Sequence, residues 1–240
     1  MNAVAGGGSF IAFPTLLFTG VPAVPANATN TVALWTGLAF SGSAFRRHLN
    51  AQPKILVSLV AVSLVGGILG AVLLLRTPAH TFLRILPWLM LAATLLFIFG
   101  RKLSGRNRRS LSEKTSTQSI VLASCFELLV GIYGGYFGGG MGIVILAMLA
   151  ALGMADIHEM NALKTVLSSS INGVAVVVFI LSRAVYWREA LIMIAGAALG
   201  GYFGARFSLR LDQRWIRGFV IVLASLMTAY FFLRGYLLAP

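Results

Sequence analysis

Asn161, Lys164, Thr165, Ser168 and Asn172 are spaced i, i+3, i+4, i+7 and i+11, which stacks polar side chains on one face of a helix inside an apolar stretch. A polar face at membrane depth is expected to look into a cavity, because lipid leaves such groups unpaired. An ammonium such as Lys164 gains nothing from the dipole near a helix start, so its natural company there is an anion. The competing explanation is that Lys164 snorkels to the interface while the hydroxyls bond their own backbone. Asn27, Thr29, Asn30 and Thr31 open an earlier apolar segment in the same way. Each set follows a glycine run, Gly6, Gly7 and Gly8 before the first and Gly138, Gly139 and Gly140 before the second.

The second run lies in GGYFGGGMG, six glycines in nine positions (134–142). In lipid every backbone N–H and C=O needs a partner, so such an interruption survives only where protein or a water-filled cavity surrounds it. The residues on either side, 119–133 and 141–152, read as two half-helices joined by the glycines. The one starting near Met141 points its unpaired N–H groups and positive dipole end into the break, which suits an anion. Close helix packing through small residues is the alternative. It is the preferred reading for Gly196 to Gly204 in GAALGGYFG.

Glu127 is the acidic residue placed well inside a span. It is either a proton-coupling group or a buried helix–helix hydrogen bond. Asp156, His158 and Glu159 form ADIHEM in the turn before Asn161, and the carboxylates are read as helix-capping groups rather than metal ligands. No metal and no cofactor are expected. No Ser/His/Asp set, Walker sequence or paired Cys motif is present, and no alternating βα pattern surrounds the glycines, so an enzyme is not expected. The single Cys125 excludes an internal disulfide and reads as a small core hydrophobe.

The elements that must position these groups are membrane helices. Of 240 residues, 58% are hydrophobic and 10% charged, and the mean hydropathy is +0.90, far outside the soluble range. The sequence predicts an all-α polytopic membrane protein of seven to eight transmembrane or half-membrane segments in two homologous halves, with glycine-broken helices. Apolar blocks fall at about 1–20, 28–45, 53–76, 82–100, 119–152, 162–182, 188–206 and 215–237, each group long enough to reach into or across a bilayer of about 20 helical residues. The opening MNAVAGGGS carries neither the charged n-region nor the cleavage site of a signal peptide. A formal charge of +13 would suggest nucleic acid in a soluble protein. Here the cations cluster at span edges, six of them in RKLSGRNRRSLSEK (101–114), as in cytoplasmic loops facing anionic lipid, and nucleic-acid binding is excluded on that pattern.

The chain divides into a first membrane repeat (1–100), a basic cytoplasmic loop (101–118) and a second repeat (119–240). NATNTV (27–32) matches NALKTV (161–166). Gly66, Gly70 and Arg76 match Gly196, Gly200 and Arg206, and FLR (82–84) matches WIR (215–217). Duplicated halves that enclose a site between them are a transporter architecture. About twenty apolar residues precede the second GGG, whereas only MNAVA precedes the first, so a chain that starts late is expected, with an asymmetric site as the other reading. The arginines at 206, 210, 214 and 217 fall on the cytoplasmic side if the halves are inverted, which favours inversion.

GGGSFIAFPTLL, GVPAVPANATNT, GGGMGIVILAML and MNALKTVLSSSINGVA together resemble the sulfite exporter TauE/SafE family of permeases, over nearly the whole chain. The resemblance implies an inner-membrane, multi-pass protein of about eight segments, associated with sulfite, sulfonates or related sulfur-containing or organic anions. Pro14, Asn27 and Thr29 fall on the family's first-half motif, and Gly138 to Gly140 with Asn161, Lys164 and Asn172 on its second. The expected function is a permease for a small anion, working by alternating exposure of a site between the repeats. Its partners would be the anionic solute and the lipid bilayer, with homo-oligomerisation left open. A non-transporting accessory subunit is the reading from another class.

Overall fold

The computed structural model describes residues 8–45, 53–103, 117–152, 154, 157–208, 213–233 and 236. Among them the chain is all-α, without a strand. The helices are α1 (Gly8–Phe18), α2 (Ala23–Phe45), α3 (Pro53–Arg76), α4 (Ala79–Leu103), α5 (Thr117–Tyr136), α6 (Met141–Ala151), α7 (Ile157–Leu181), α8 (Trp187–Ser208) and α9 (Gln213–Phe232).

Local chemistry sets the boundaries. Gly20 ends α1 with φ 89°, and the N–H groups of Gly20 and Val21 close on the carbonyls of Leu17 and Leu16 at 3.2 Å each. Pro22 then starts the next helix, its carbonyl receiving the Ala26 N–H at 2.8 Å. Helix α2 therefore begins five residues before the expected 28, and Asn27 lies inside it. Helix α5 is also longer than the half-helix expected from the sequence. Its 20 residues rise roughly 30 Å, enough to cross a hydrocarbon core. The 11 residues of α6 rise only about 16 Å, so of the two segments flanking the break only α6 is half-length.

Glycines bring α3 and α5 together. A methyl group on Gly66 would lie 2.9 Å from the Gly131 Cα, and one on Gly135 3.0 Å from the Ala71 nitrogen. Ser58 faces Ser124 at 3.4 Å, and the Ser63 hydroxyl donates to Glu127 Oε1 at 2.5 Å. Residue numbers climb together along this seam, so the two helices run parallel. Two other pairs run antiparallel. On α2 and α7, Trp35 Nε1 donates to the Ser169 carbonyl at 3.0 Å, while Thr29 reaches Tyr186 beyond the end of α7. On α4 and α9, Thr94 meets Thr228 at 3.4 Å, while Trp88 Nε1 donates to the Tyr236 hydroxyl at 2.9 Å.

Two apolar cores result, and the glycine break lies between them. Phe10, Phe13, Phe82 and Phe137 belong to one, with Phe13 edge-on to Phe82 and Phe137 at 6.2 Å. Met141, Ile145, Met148, Leu163 and Leu167 belong to the other. The outer faces stay apolar, with Leu122 71%, Leu129 65% and Leu181 78% exposed. Such faces are costly in water and neutral in lipid. Among the described residues, Ile55–Arg76 and Glu159–Leu181 are long and apolar enough to cross a bilayer, and shorter apolar helices accompany them.

Two expectations change. Cys125 is exposed and shares the outer face of α5 with Leu122 and Leu129, so it is not a core residue. Among the described residues Gly196 packs against nothing, since a methyl group there would meet no atom within 4 Å. Gly66, which the sequence pairs with it, is covered by α5, whereas α8 packs chiefly on α2. The side-chain environments of Gly200, Gly204 and the arginines at 206, 214 and 217 lie outside the described residues, as do Asp156 and Arg210 altogether.

Candidate functional site at the glycine break

Between α5 and α6 the backbone turns on two left-handed glycines, Gly138 (φ 74°) and Gly140 (φ 72°). Side chains rarely adopt this conformation, which explains glycine at both positions. The Tyr133 carbonyl takes the Phe137 and Gly138 N–H groups at 2.9 and 3.2 Å, and the Tyr133 hydroxyl donates to the Gly139 carbonyl. Gly140 caps α6 without any side-chain hydrogen bond. Ala93 of α4 closes on Gly140, its Cβ 3.2 Å from where a methyl would sit. The break is thus enclosed by protein, as hydrocarbon chemistry requires.

The polar face of α7 meets it. The Lys164 stem passes Gly142, with Cδ 3.3 Å from a methyl built there, and Asn172 Oδ1 lies 3.8 Å from one built on Gly138. Helix α6 therefore leaves the break toward the start of α7. Lys164 Nζ donates to Asn161 Oδ1 at 3.0 Å, so the ammonium is held by a neutral amide near the positive end of α6. Thr165 and Ser168 are buried on the same helix, and Thr165 Oγ1 donates to the Asn161 carbonyl at 2.7 Å.

The first polar set divides. Asn27 crosses to the break, its Nδ2 donating to the Tyr136 carbonyl at 2.8 Å. Thr31 Oγ1 donates back to the Asn27 carbonyl at 2.9 Å. Thr29 Oγ1 instead accepts the Tyr186 N–H at 3.0 Å, just before α8, a positioning bond away from the glycines. Asn30 is 2% exposed, and its Oδ1 receives no donor. Gly8 opens α1, whereas Gly6 and Gly7 lie outside the described residues.

Glu127 is fully buried on the α3–α5 seam. Nine residues of helix separate it from Tyr136, about 14 Å of rise, so it does not touch the break. Among the described residues, no three His, Cys, Asp or Glu side chains gather as metal ligands would. Sequence reasoning missed Tyr133, whose hydroxyl reaches the Gly139 carbonyl within the break, and Trp35, whose Nε1 reaches the Ser169 carbonyl across the bundle. In one sequence an aromatic in an apolar run looks like any other core residue.

A half-helix without a side-chain cap, with half-buried amides and an ammonium around its start inside a lipid-facing bundle, is an arrangement that membrane transporters use. Residues 1–231 match the family model described as Sulfite exporter TauE/SafE, and the chain belongs to that family. It is similar to a probable membrane transporter protein of Haemophilus influenzae, 29% identical over 95% of this chain and 88% of that one. A probable membrane transporter protein of a Sinorhizobium species is 28% identical over 93% and 84%, and one of Escherichia coli K12, YfcA, is 26% identical over 95% and 83%. No solved structure matches. The protein is a membrane transporter.

Proposed function

We propose that this transporter is a multi-pass permease of the inner membrane that moves a small anion, sulfite, a sulfonate or a related sulfur-containing or organic anion, past the start of α6. The observation that carries this reading is the approach of Lys164 to the first turn of α6. A helix N-terminus and an ammonium offer positive charge at one enclosed point, and neutral amides complete the surroundings. Such a point lowers the cost of taking an anion out of water.

The proposed motion is alternating access between two inverted repeats. Support comes from pairs that the sequence matches to each other. Helices α2 and α7 are equivalent in the two halves and run antiparallel, joined by Trp35 and Ser169, which are themselves repeat equivalents. Helices α4 and α9 are likewise equivalent and antiparallel. Equivalent helices that run in opposite directions fit a two-fold axis in the membrane plane. Glu127 is assigned to helix pairing rather than to coupling, given its distance from the break and its bond to Ser63. Thermal unfolding in detergent across sulfite, thiosulfate, sulfonates and carboxylates tests the substrate class. One of these anions should stabilise the wild type saturably, and a response to none would refute the reading.

A further inference from the structure

The break has a negative end as well as a positive one. Helix α5 stops at Tyr136, where its terminal carbonyls concentrate partial negative charge. Asn27 stands against that end. Because its Nδ2 donates to the Tyr136 carbonyl, its amide orientation is fixed and Oδ1 is unambiguously an acceptor. Among the described residues that buried oxygen receives no hydrogen bond, and neither does Asn30 Oδ1. The two residues are 1% and 2% exposed. Three residues apart on α2, their side chains share one side of the helix, with Cβ atoms about 5–6 Å apart. A buried acceptor without a donor is costly, so two on one side of α2, one of them at a helix C-terminus, need an explanation.

We propose that Asn27 Oδ1 and Asn30 Oδ1, with the carbonyl end of α5, bind a monovalent alkali cation that travels with the anion. The donors are neutral oxygens, which suits a singly charged hard ion. Divalent calcium and magnesium draw on carboxylates, and none is grouped with a second and third among the described residues. The repeat sharpens the assignment. NATNTV and NALKTV align Asn30 with Lys164, so an acceptor oxygen stands in one half where the other has an ammonium. One half would hold the cation and the other the anion, on opposite poles of the same broken helix. Carried together, the pair has less net charge to move through a low-dielectric core than the anion alone. The inference rests on the permease reading and adds the coupling ion to it.

The test is thermal unfolding of the purified full chain in sodium, lithium, potassium or choline gluconate at one ionic strength, with no transported anion present. The expected result is a saturable rise of the midpoint by about 3 °C in at least one alkali cation over choline. Asn30→Ala, which leaves the Asn27–Tyr136 bond in place, should lose that rise, and Asn30→Asp should keep it. No alkali-specific rise in the wild type would overturn the proposal whether or not the variants fold. The same rise in Asn30→Ala would also overturn it, as would a midpoint that follows pH and not the alkali ion. Lys164→Ala should keep the cation response while losing the anion response, so failure of the anion site alone remains distinguishable.

Discussion

The Asn27 side chain donates to the Tyr136 carbonyl at 2.8 Å, which ties α2 to the last residue of α5. It satisfies a helix-end carbonyl that lipid could not. Asn27→Leu should therefore lower unfolding stability by about 1–3 kcal/mol, the cost of leaving a buried acceptor unpaired. Transport should fall more than this loss explains, because the residue also faces the break. Denaturant unfolding of the detergent-solubilised variant, compared with flux per folded molecule, separates the two effects.

Gly140 should not tolerate a side chain. Its φ of 72° is left-handed, and a methyl would also press on Ala93 at 3.2 Å. The conformational penalty for Gly140→Ala is about 1–2 kcal/mol before any clash. The expected outcome is a protein that still inserts but unfolds at lower temperature and carries little flux. Wild-type flux in this variant would show that the turn does not shape the site.

The α3–α5 seam offers a matched pair of substitutions. Gly66→Ala places a methyl 2.9 Å from the Gly131 Cα, where only backbone can yield, and should destabilise by about 1–3 kcal/mol. Gly196→Ala, at the position of α8 that the sequence pairs with Gly66, meets open space among the described residues and gains helix propensity, so it should be neutral or stabilising by up to about 1 kcal/mol. Equal losses at both positions, read from melting midpoints, would mean that α8 is covered as α3 is.

Ser63 and Glu127 predict a different pattern. Ser63→Ala removes the hydroxyl that donates to Glu127 Oε1 and leaves a buried carboxyl without its partner, at about 1–3 kcal/mol. Glu127→Gln keeps an acceptor for Ser63 and should retain both stability and flux. Loss of flux with unchanged stability in Glu127→Gln would return this residue to a coupling role.

Much of this architecture was legible in the sequence because lipid imposes simple rules. Apolar blocks had to be helices, and the glycine run had to be internal, which the burial of Gly139 and Gly140 and the approach of Ala93 bear out. Lys164 and Asn172, which the polar spacing of α7 puts on one face, lie on the side of the break. Boundaries were harder. The length of α5 was underestimated because Gly134 and Gly135 looked like part of the break, whereas they pack inside a continuous helix. Cys125 was misplaced because lipid-facing and buried residues have the same composition in a membrane span. Thr29 looked equivalent to its neighbours, and only the fold shows its oxygen occupied by Tyr186.

Flux into proteoliposomes tests the central claim most directly. With sulfite, thiosulfate, a sulfonate and a carboxylate offered in turn, the wild type should move at least one of them. The double substitution Lys164→Ala and Asn161→Ala should slow that flux by about tenfold or more, as expected for loss of a charge-assisted contact. Flux of the same anion at the wild-type rate in a folded double variant would contradict the account.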